Sequence, residues 1–427
     1  RYYDLIAAFD QQVGRMLETL KTDNLLDDTI IFIYSDHGFG LPGYKRWLRN
    51  AGLHVPLVVY IPDKYKHLSP HPPGSATDDL VSFVDFVPTA LSLIGRPAPE
   101  YMHGKAFLGP DRAAPRQYAF AARSRADNVY DLARAVRTER FLYVRHFMPH
   151  LPYMQPGKIF SNEKEGFLAL RQARSAGELP PAGESMFLPK PLEELYDLEQ
   201  DPWELENLAA HAGYSILKDS LSKLLDNWII QSRDLGFLPE SEIKARLRGD
   251  TPYEMALDPA RYDVETVYGA AKMVGTTDVN TYRRMLQHPD SRVQYWAVTG
   301  LHGAGREARE AAADLEKLLD ASSKALQIAA AELLLSWGEH PKAVETLGKN
   351  LQDEDPDVAL QAARSIELSA NACPSLLHVV KATLKQKAAP PGSTFPYADY
   401  NHSAFISWSL ESALMQWEIS ENLEKTK

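Results

Sequence analysis

The stretch "TIIFIYSDHGFG", residues 29–40, decides the fold of the front of the chain. Thr29 to Tyr34 are β-branched, aromatic or aliphatic and carry no charge, the pattern of a strand covered on both faces in a parallel α/β sheet. Ser35, Asp36, His37 and Gly38 follow at the strand's carboxyl end, where open α/β sheets place their ligands. An acid and an imidazole side by side can face one ion only if the backbone turns sharply, and Gly38 permits such a turn. The same residues also suit an ordinary turn that ends a strand.

Upstream, "RYYDLIAAFDQQVGRMLETLK" reads as a helix, with Leu5, Phe9, Val13, Met16 and Leu20 at helical spacing. A chain that opens inside a helix feeding a buried strand is expected to lack earlier strands of its sheet. Downstream, a polar loop over residues 38–53 leads to a second strand, "VPLVVYIP", residues 55–62. A helix in "SFVDFVPTALSLIG" follows, with Pro88 at its start. Alternation of this kind favours a parallel sheet.

From Gln117 to about Leu208 the pattern changes. "QYAFAAR", "YDLARAVRT", "RFLYVRHF" and "ELYDLEQD" are strand candidates without helices between them, the signature of a small antiparallel sheet. The insertion between His146 and Pro189 is rich in Pro, Gly and charge and reads as loop and irregular helix, and a helix from Tyr214 to about Leu235 closes the unit.

The remainder is repetitive. Val293, Ala297 and Leu301 are spaced by four, as are Ala325, Ala329 and Leu333, and again Val358, Ala362 and Ile366. A recurrence of 32 to 33 residues resembles a short stack of HEAT-type helical repeats, from about Val264 to Leu384, with the segment Phe395 to Glu418 and its Trp408 and Trp417 as a cap. The expected organisation is an α/β region over residues 1–110, an antiparallel subdomain over 111–255 and the repeats over 256–427.

Composition limits the function. The formal charge of −11 argues against a nucleic-acid surface, and no apolar run reaches the roughly 18–20 residues of a membrane span. The single cysteine, Cys373, excludes an intrachain disulfide and a cysteine-based zinc cluster. Aspartate oxygen suits a hard divalent cation, and neutral imidazole can join it in a mixed site. The Asp78–Asp79 pair lies at a helix start, where acids favour the dipole, and reads as structural.

In order, "YSDHG", Lys45, "HVPLVVYIP" after Leu53, "FVDFVPTALSLIGRPAPEYMHGKAFLG" and "ELYDLEQDPWELENLA" resemble the C-terminal half of a type I sulfatase, of the alkaline-phosphatase-like superfamily, over roughly Arg1 to Ala210. The resemblance implies an α/β partial sulfatase sheet with a small antiparallel subdomain, ahead of the all-α repeats. It implies that Asp36 and His37 are Ca²⁺ ligands and that Lys45, eleven residues before Pro56, contacts sulfate. A compact ammonium and a divalent cation would together neutralise sulfate oxygens as charge builds on the leaving oxygen.

Asn50 departs from the pattern, which has an acid five positions after the lysine. The family nucleophile is a formylglycine, made from Cys or Ser in a Cys/Ser-x-Pro/Ala-x-Arg motif. Cys373 in "ACPSLL" has no such arginine and reads as a core or surface thiol. The nucleophile, the other metal ligands and the acid histidine are therefore expected upstream of Arg1, leaving the chain inactive alone. By the same resemblance His54, His103, His146 and His150 are candidates for substrate contact, with Tyr153 beside the last two. Each also suits ordinary packing. Arg123 and Arg125 suit either an acidic sugar or plain solvation.

The resemblance implies a sulfated small molecule or carbohydrate as substrate and a periplasmic or secreted location. Two alternatives stand beside it. One is a phosphodiesterase or phosphonate monoester hydrolase of the same superfamily. The other is a non-catalytic interaction protein that contacts protein partners through its helical stack.

Overall fold

A computed structural model of the chain describes residues 2–157, 164–390, 393, 396–399 and 401–425, the side chains only to residue 418. Part of the insertion after His146, as well as Arg1, Phe395 and Tyr400, lies outside the described residues. The chain divides into two compact units. The first comprises Arg1–Ala121, Val136–Leu142 and Asp197–Glu204, and the second Ala122–Ala135, Tyr143–Tyr196 and Leu205–Lys427.

In the first unit the amphipathic opening segment forms α1, Tyr2–Thr22. The apolar run forms β1, Ile31–Tyr34, and the second run β2, Leu57–Tyr60. The two strands pair antiparallel, with Ile31 opposite Tyr60 and Tyr34 opposite Leu57, where the sequence pattern predicts parallel pairing. A continuous apolar run marks a strand but says nothing of its neighbour's direction, which here is reversed by the compact 38–53 loop. Neither strand is covered on both faces: Tyr34, Val58 and Tyr60 are exposed, as are Leu5, Phe9 and Met16 of α1. Pro88 sits in the first turn of α2, Phe86–Leu93, where its missing N–H costs nothing. The preceding turn is closed by a capping box between Ser82 and Asp85.

The second sheet runs β3 (Ala119–Arg123), β4 (Ala133–Arg137), β5 (Phe141–His146) and β6 (Glu193–Asp197), in that spatial order. A tight turn joins β4 to β5, the Thr138 amide donating to the Phe141 carbonyl at 2.8 Å. The His146 amide donates to Leu192 and the Leu198 amide to Arg140, so β5 and β6 run antiparallel. The four strands predicted as a small sheet are present and adjacent in chain order.

Within the second unit, α3 (Glu165–Ser175) lies in the insertion and α4 (Ser215–Ser232) follows the sheet. The repeats are α5 (Val264–Lys272), α6 (Val279–Met285), α7 (Ser291–Gly303), α8 (Ala312–Leu318), α9 (Lys324–Ser336), α10 (Pro341–Leu351), α11 (Pro356–Leu368) and α12 (Leu377–Lys387). Their regularity follows from local chemistry. The side chains of Asp290, Ser323 and Asp355 accept from backbone amides at the starts of α7, α9 and α11. Ala297 and Ala362 are fully buried, which allows close helix approach, whereas Ala329 is half-buried. The last helix, α13 (His402–Lys425), covers α11 and α12, and its Trp417 indole donates to the Ala370 carbonyl at 2.6 Å. Both Trp408 and Trp417 are buried.

Candidate functional site

Asp36 and His37 turn toward each other. Asp36 Oδ2 lies 3.4 Å from His37 Nε2, with the carboxylate 80% exposed and the imidazole 38% exposed. His37 Nδ1 is 2.8 Å from the Gly38 carbonyl, a group that can only accept, so Nδ1 carries a proton and Nε2 is the nitrogen that faces the Asp36 carboxylate. The Ser35 hydroxyl donates to the His37 carbonyl at 2.7 Å and fixes the turn. Two adjacent ligands at about 2.4 Å from a calcium ion, at right angles, stand roughly 3.4 Å apart, so the pair fits one edge of a hard-cation shell. Among the described residues no third His, Cys, Asp or Glu closes on them to complete a ligand trio.

The loop behind the pair is tightly folded. The Gly38 amide donates to the Gly52 carbonyl at 3.1 Å, and a Cβ on Gly38 would lie 2.0 Å from the Ala51 carbonyl oxygen. Only glycine allows this approach. The Lys45 amide donates to the Phe39 carbonyl at 2.9 Å, which brings the Lys45 backbone back to the residue just beyond the Asp36–Gly38 turn. Trp47 and Leu48 are buried beneath the loop. Asn50, at the position where the resemblance leads one to expect an acid, is a structural joint. Its amide donates to Glu204 Oε1 at 2.8 Å and its side-chain oxygen accepts from Arg137 Nε at 3.0 Å. Arg49 donates to the Glu204 carbonyl at 3.0 Å. An acid is thus present at the loop base, supplied by a buried Glu204 from far along the chain. Glu204 lies in the quoted stretch "ELYDLEQDPWELENLA", but nothing local marked it or Arg137 as a partner of this loop.

His54 is exposed at the end of this loop, and its pKa is lowered by partial burial and by the Arg137 charge, with Asp78 pulling the other way. His103 is exposed in its loop. Asp78 and Asp79 lie in an irregular stretch ahead of the turn at Phe83–Asp85 and not at a helix start as the sequence pattern suggests, and Asp79 pairs with His71 at 3.0 Å.

The other candidates lie in the second unit. His146 is 3% exposed, with Nε2 at 3.2 Å from Glu194 Oε2 and 3.1 Å from the Tyr153 hydroxyl, which itself donates to Glu194 at 2.6 Å. This places it in the protein interior. Arg123 is buried beside Asp131, and Arg125 grips Glu240 through Nε at 2.8 and 3.0 Å, so neither is simply solvated. Lys190 lies 3.2 Å from Asp131, and despite the cost of burial Lys190 and Arg123 hold the Asp131 carboxyl below the usual range. Cys373 is fully buried and its thiol is pushed up to about 12 by burial, which suits packing and not nucleophilic chemistry. His150 stacks on His302 with ring centroids 4.5 Å apart.

With this geometry the chain can be set beside known proteins. Residues 1–96 match the family model of sulfatases, and residues 279–367 match HEAT repeats. An ulvan-active sulfatase of Formosa agariphila is 38% identical over 261 residues, 61% of this chain and 43% of that protein. The front of the chain is homologous to sulfatases. A second ulvan-active sulfatase of that organism is 29% identical over 55% of this chain and 44% of the relative. Human N-sulphoglucosamine sulphohydrolase is 26% identical over 54% and 47%. The chain therefore spans less than half the length of these curated relatives. A solved protein in complex with its substrate, D-glucosamine-2-N,6-O-disulfate, aligns at a TM-score of 0.39 and 23% identity, covering 54% of this chain and 40% of its own. The homologues are sulfuric ester hydrolases. Among the described residues no helix is long and apolar enough to cross a membrane.

Proposed function

We propose that the chain supplies the C-terminal, cation- and anion-binding half of a sulfatase that cleaves sulfate monoesters of a carbohydrate. The observation that carries this is the 3.4 Å approach of Asp36 Oδ2 and His37 Nε2, with the proton of His37 held on Nδ1 by Gly38. In this reading Asp36 and His37 would hold one side of a Ca²⁺ ion, and the bound ion would neutralise sulfate charge. Lys45 anchors a sulfate oxygen as a point charge, from a loop made rigid by Gly38, Trp47 and the Asn50–Glu204 joint. His54, kept neutral at pH 7 by its lowered pKa, can accept or donate a hydrogen bond at the substrate's edge. The formylglycine nucleophile and the remaining ligands belong to a segment outside these 427 residues, and the sulfated sugars named for the relatives suggest the substrate class.

The test is calcium titration of the 427-residue chain by calorimetry, alongside sulfate release from sulfated oligosaccharides. Weak calcium binding that is abolished in Asp36→Asn, together with no sulfate release, is expected. Calcium binding unchanged in Asp36→Asn, or turnover by this chain alone, overturns the reading. Joining the chain to a formylglycine-bearing front segment and assaying paired sulfate and phosphonate esters then separates sulfatase from phosphonate hydrolase.

A further inference from the structure

The second unit holds a cluster that the sulfatase reading does not use. His150 follows β5, His302 lies in the last turn of α7, and Glu332 lies in the middle of α9. One ligand atom from each falls within 4.8 Å of the other two. They border a cavity of about 80 Å³, closed on other sides by Tyr130, Tyr295 and Leu360. We propose that His150, His302 and Glu332 bind a divalent transition ion of the zinc class, with a fourth position open to this cavity.

Four observations carry it. His150 Nδ1 is buried with no hydrogen-bond partner among the described residues, and an imidazole nitrogen is rarely left so without a ligand or water. Among the described residues Ser365 donates to Glu332 Oε2, and Oε1 faces His302 Nε2 at 3.9 Å. Both imidazoles are shielded, the His302 side chain only 11% exposed, so little solvent competes for their ring nitrogens. The donor set is two nitrogens and one carboxylate, the set that zinc accepts with a fourth site open, whereas a calcium shell takes six to eight ligands, mostly oxygens, which these three residues do not supply.

Binding asks for movement of side chains only. Zinc ligands at about 2.1 Å stand roughly 3.4 Å apart, so separations of up to 4.8 Å must close by about 1.4 Å, and one imidazole turns out of its stack, now tilted by 14°, so that both ring lone pairs converge on the ion. Room for that comes from the repeat itself. Ala329, half-buried where its counterparts Ala297 and Ala362 are sealed, lines the cavity. Thr299, Glu332 and Ser365 stand 33 residues apart and all border it, so the polar lining recurs with the repeat. This ion is independent of the Asp36–His37 pair, whose residues lie in the first unit.

The experiment uses the full chain, freed of metal with a chelator, and titrates Zn²⁺ and Co²⁺. One zinc per chain, removed by Glu332→Gln and retained in Asp36→Asn, is expected, with visible cobalt absorption of a four-coordinate nitrogen–oxygen site. Glu332→Gln keeps size and shape, and a circular dichroism spectrum matching the wild type is the check that it folds. It should weaken zinc more than about a hundredfold, and Ser365→Ala, which frees the second carboxylate oxygen, roughly tenfold. Absence of zinc binding by the wild-type chain overturns the proposal, as does binding that survives Glu332→Gln or is lost in Asp36→Asn alone.

Discussion

The backbone amide of Asn50 donates to the carboxylate of Glu204 at 2.8 Å, across 154 residues of chain. The same carboxylate stands 3.8 Å from Arg49, and Arg137 reaches the Asn50 side chain from β4. A loop bearing Lys45 is thereby stapled at its far end. Replacing Glu204 by Ala leaves the Asn50 amide without an acceptor and should lower the unfolding free energy by about 1–3 kcal/mol in urea. Glu204→Gln keeps one acceptor oxygen and should cost less. Equal effects of the two would show that the hydrogen bond is not what matters.

Gly38→Ala should be disproportionately damaging for an added methyl. Its Cβ would meet the Ala51 carbonyl oxygen at 2.0 Å, a backbone atom that cannot swing aside. Overpacking of this order costs about 1–3 kcal/mol, and the loop must move to relieve it. Thermal melting checks the cost. Gly14→Ala, where nothing lies within 4 Å and the residue is helical, serves as the control and should be neutral or slightly stabilising.

The His54 imidazole should titrate below its ordinary value in a proton NMR titration. Burial is the larger cause, so Arg137→Gln should raise the midpoint only part of the way back. A midpoint at or above 6.5 in the wild-type chain would remove the argument that His54 is neutral at the site.

Acid should weaken the protein partly through Asp197. Hydrogen bonds from Arg140, at 2.9 and 2.6 Å, outweigh burial and hold its carboxyl below the usual range. A depressed carboxylate contributes stability that is complete above the unfolded value, here 3.8, and is lost as pH falls through the folded one, because the unfolded chain then binds the extra proton. Unfolding curves at pH 5 and pH 3 should therefore converge more in Asp197→Asn than in the wild type. An unchanged pH difference would assign acid sensitivity to other carboxylates.

Much of this was legible in the chain before any coordinates. The run Ile31–Tyr34 declared a strand by composition, whereas the adjacency of Asp36 and His37 suited a turn as well as a site, and only the family resemblance singled the pair out. The repeats were readable because triplets such as Val293, Ala297 and Leu301 recur every 32 to 33 residues at one helical spacing. What stayed hidden depended on distance along the chain. Strand composition is the same for either direction of pairing, so the antiparallel β1–β2 register had to be seen. Arg137 and Glu204 reach Asn50 across 87 and 154 residues, and no local pattern marks them. His302 and Glu332 look like surface residues of two helices until the helices are set beside His150.

The seat of Trp417 against Ala370 carries a consequence for anyone who would lengthen this protein. The closing helix turns Trp408 and Trp417 inward, so the apolar face of the layer beneath it is already taken and is closed to an inserted unit. Extra layers would have to be spliced between α9 and α11, in multiples of the natural period, with the closing helix left where it is.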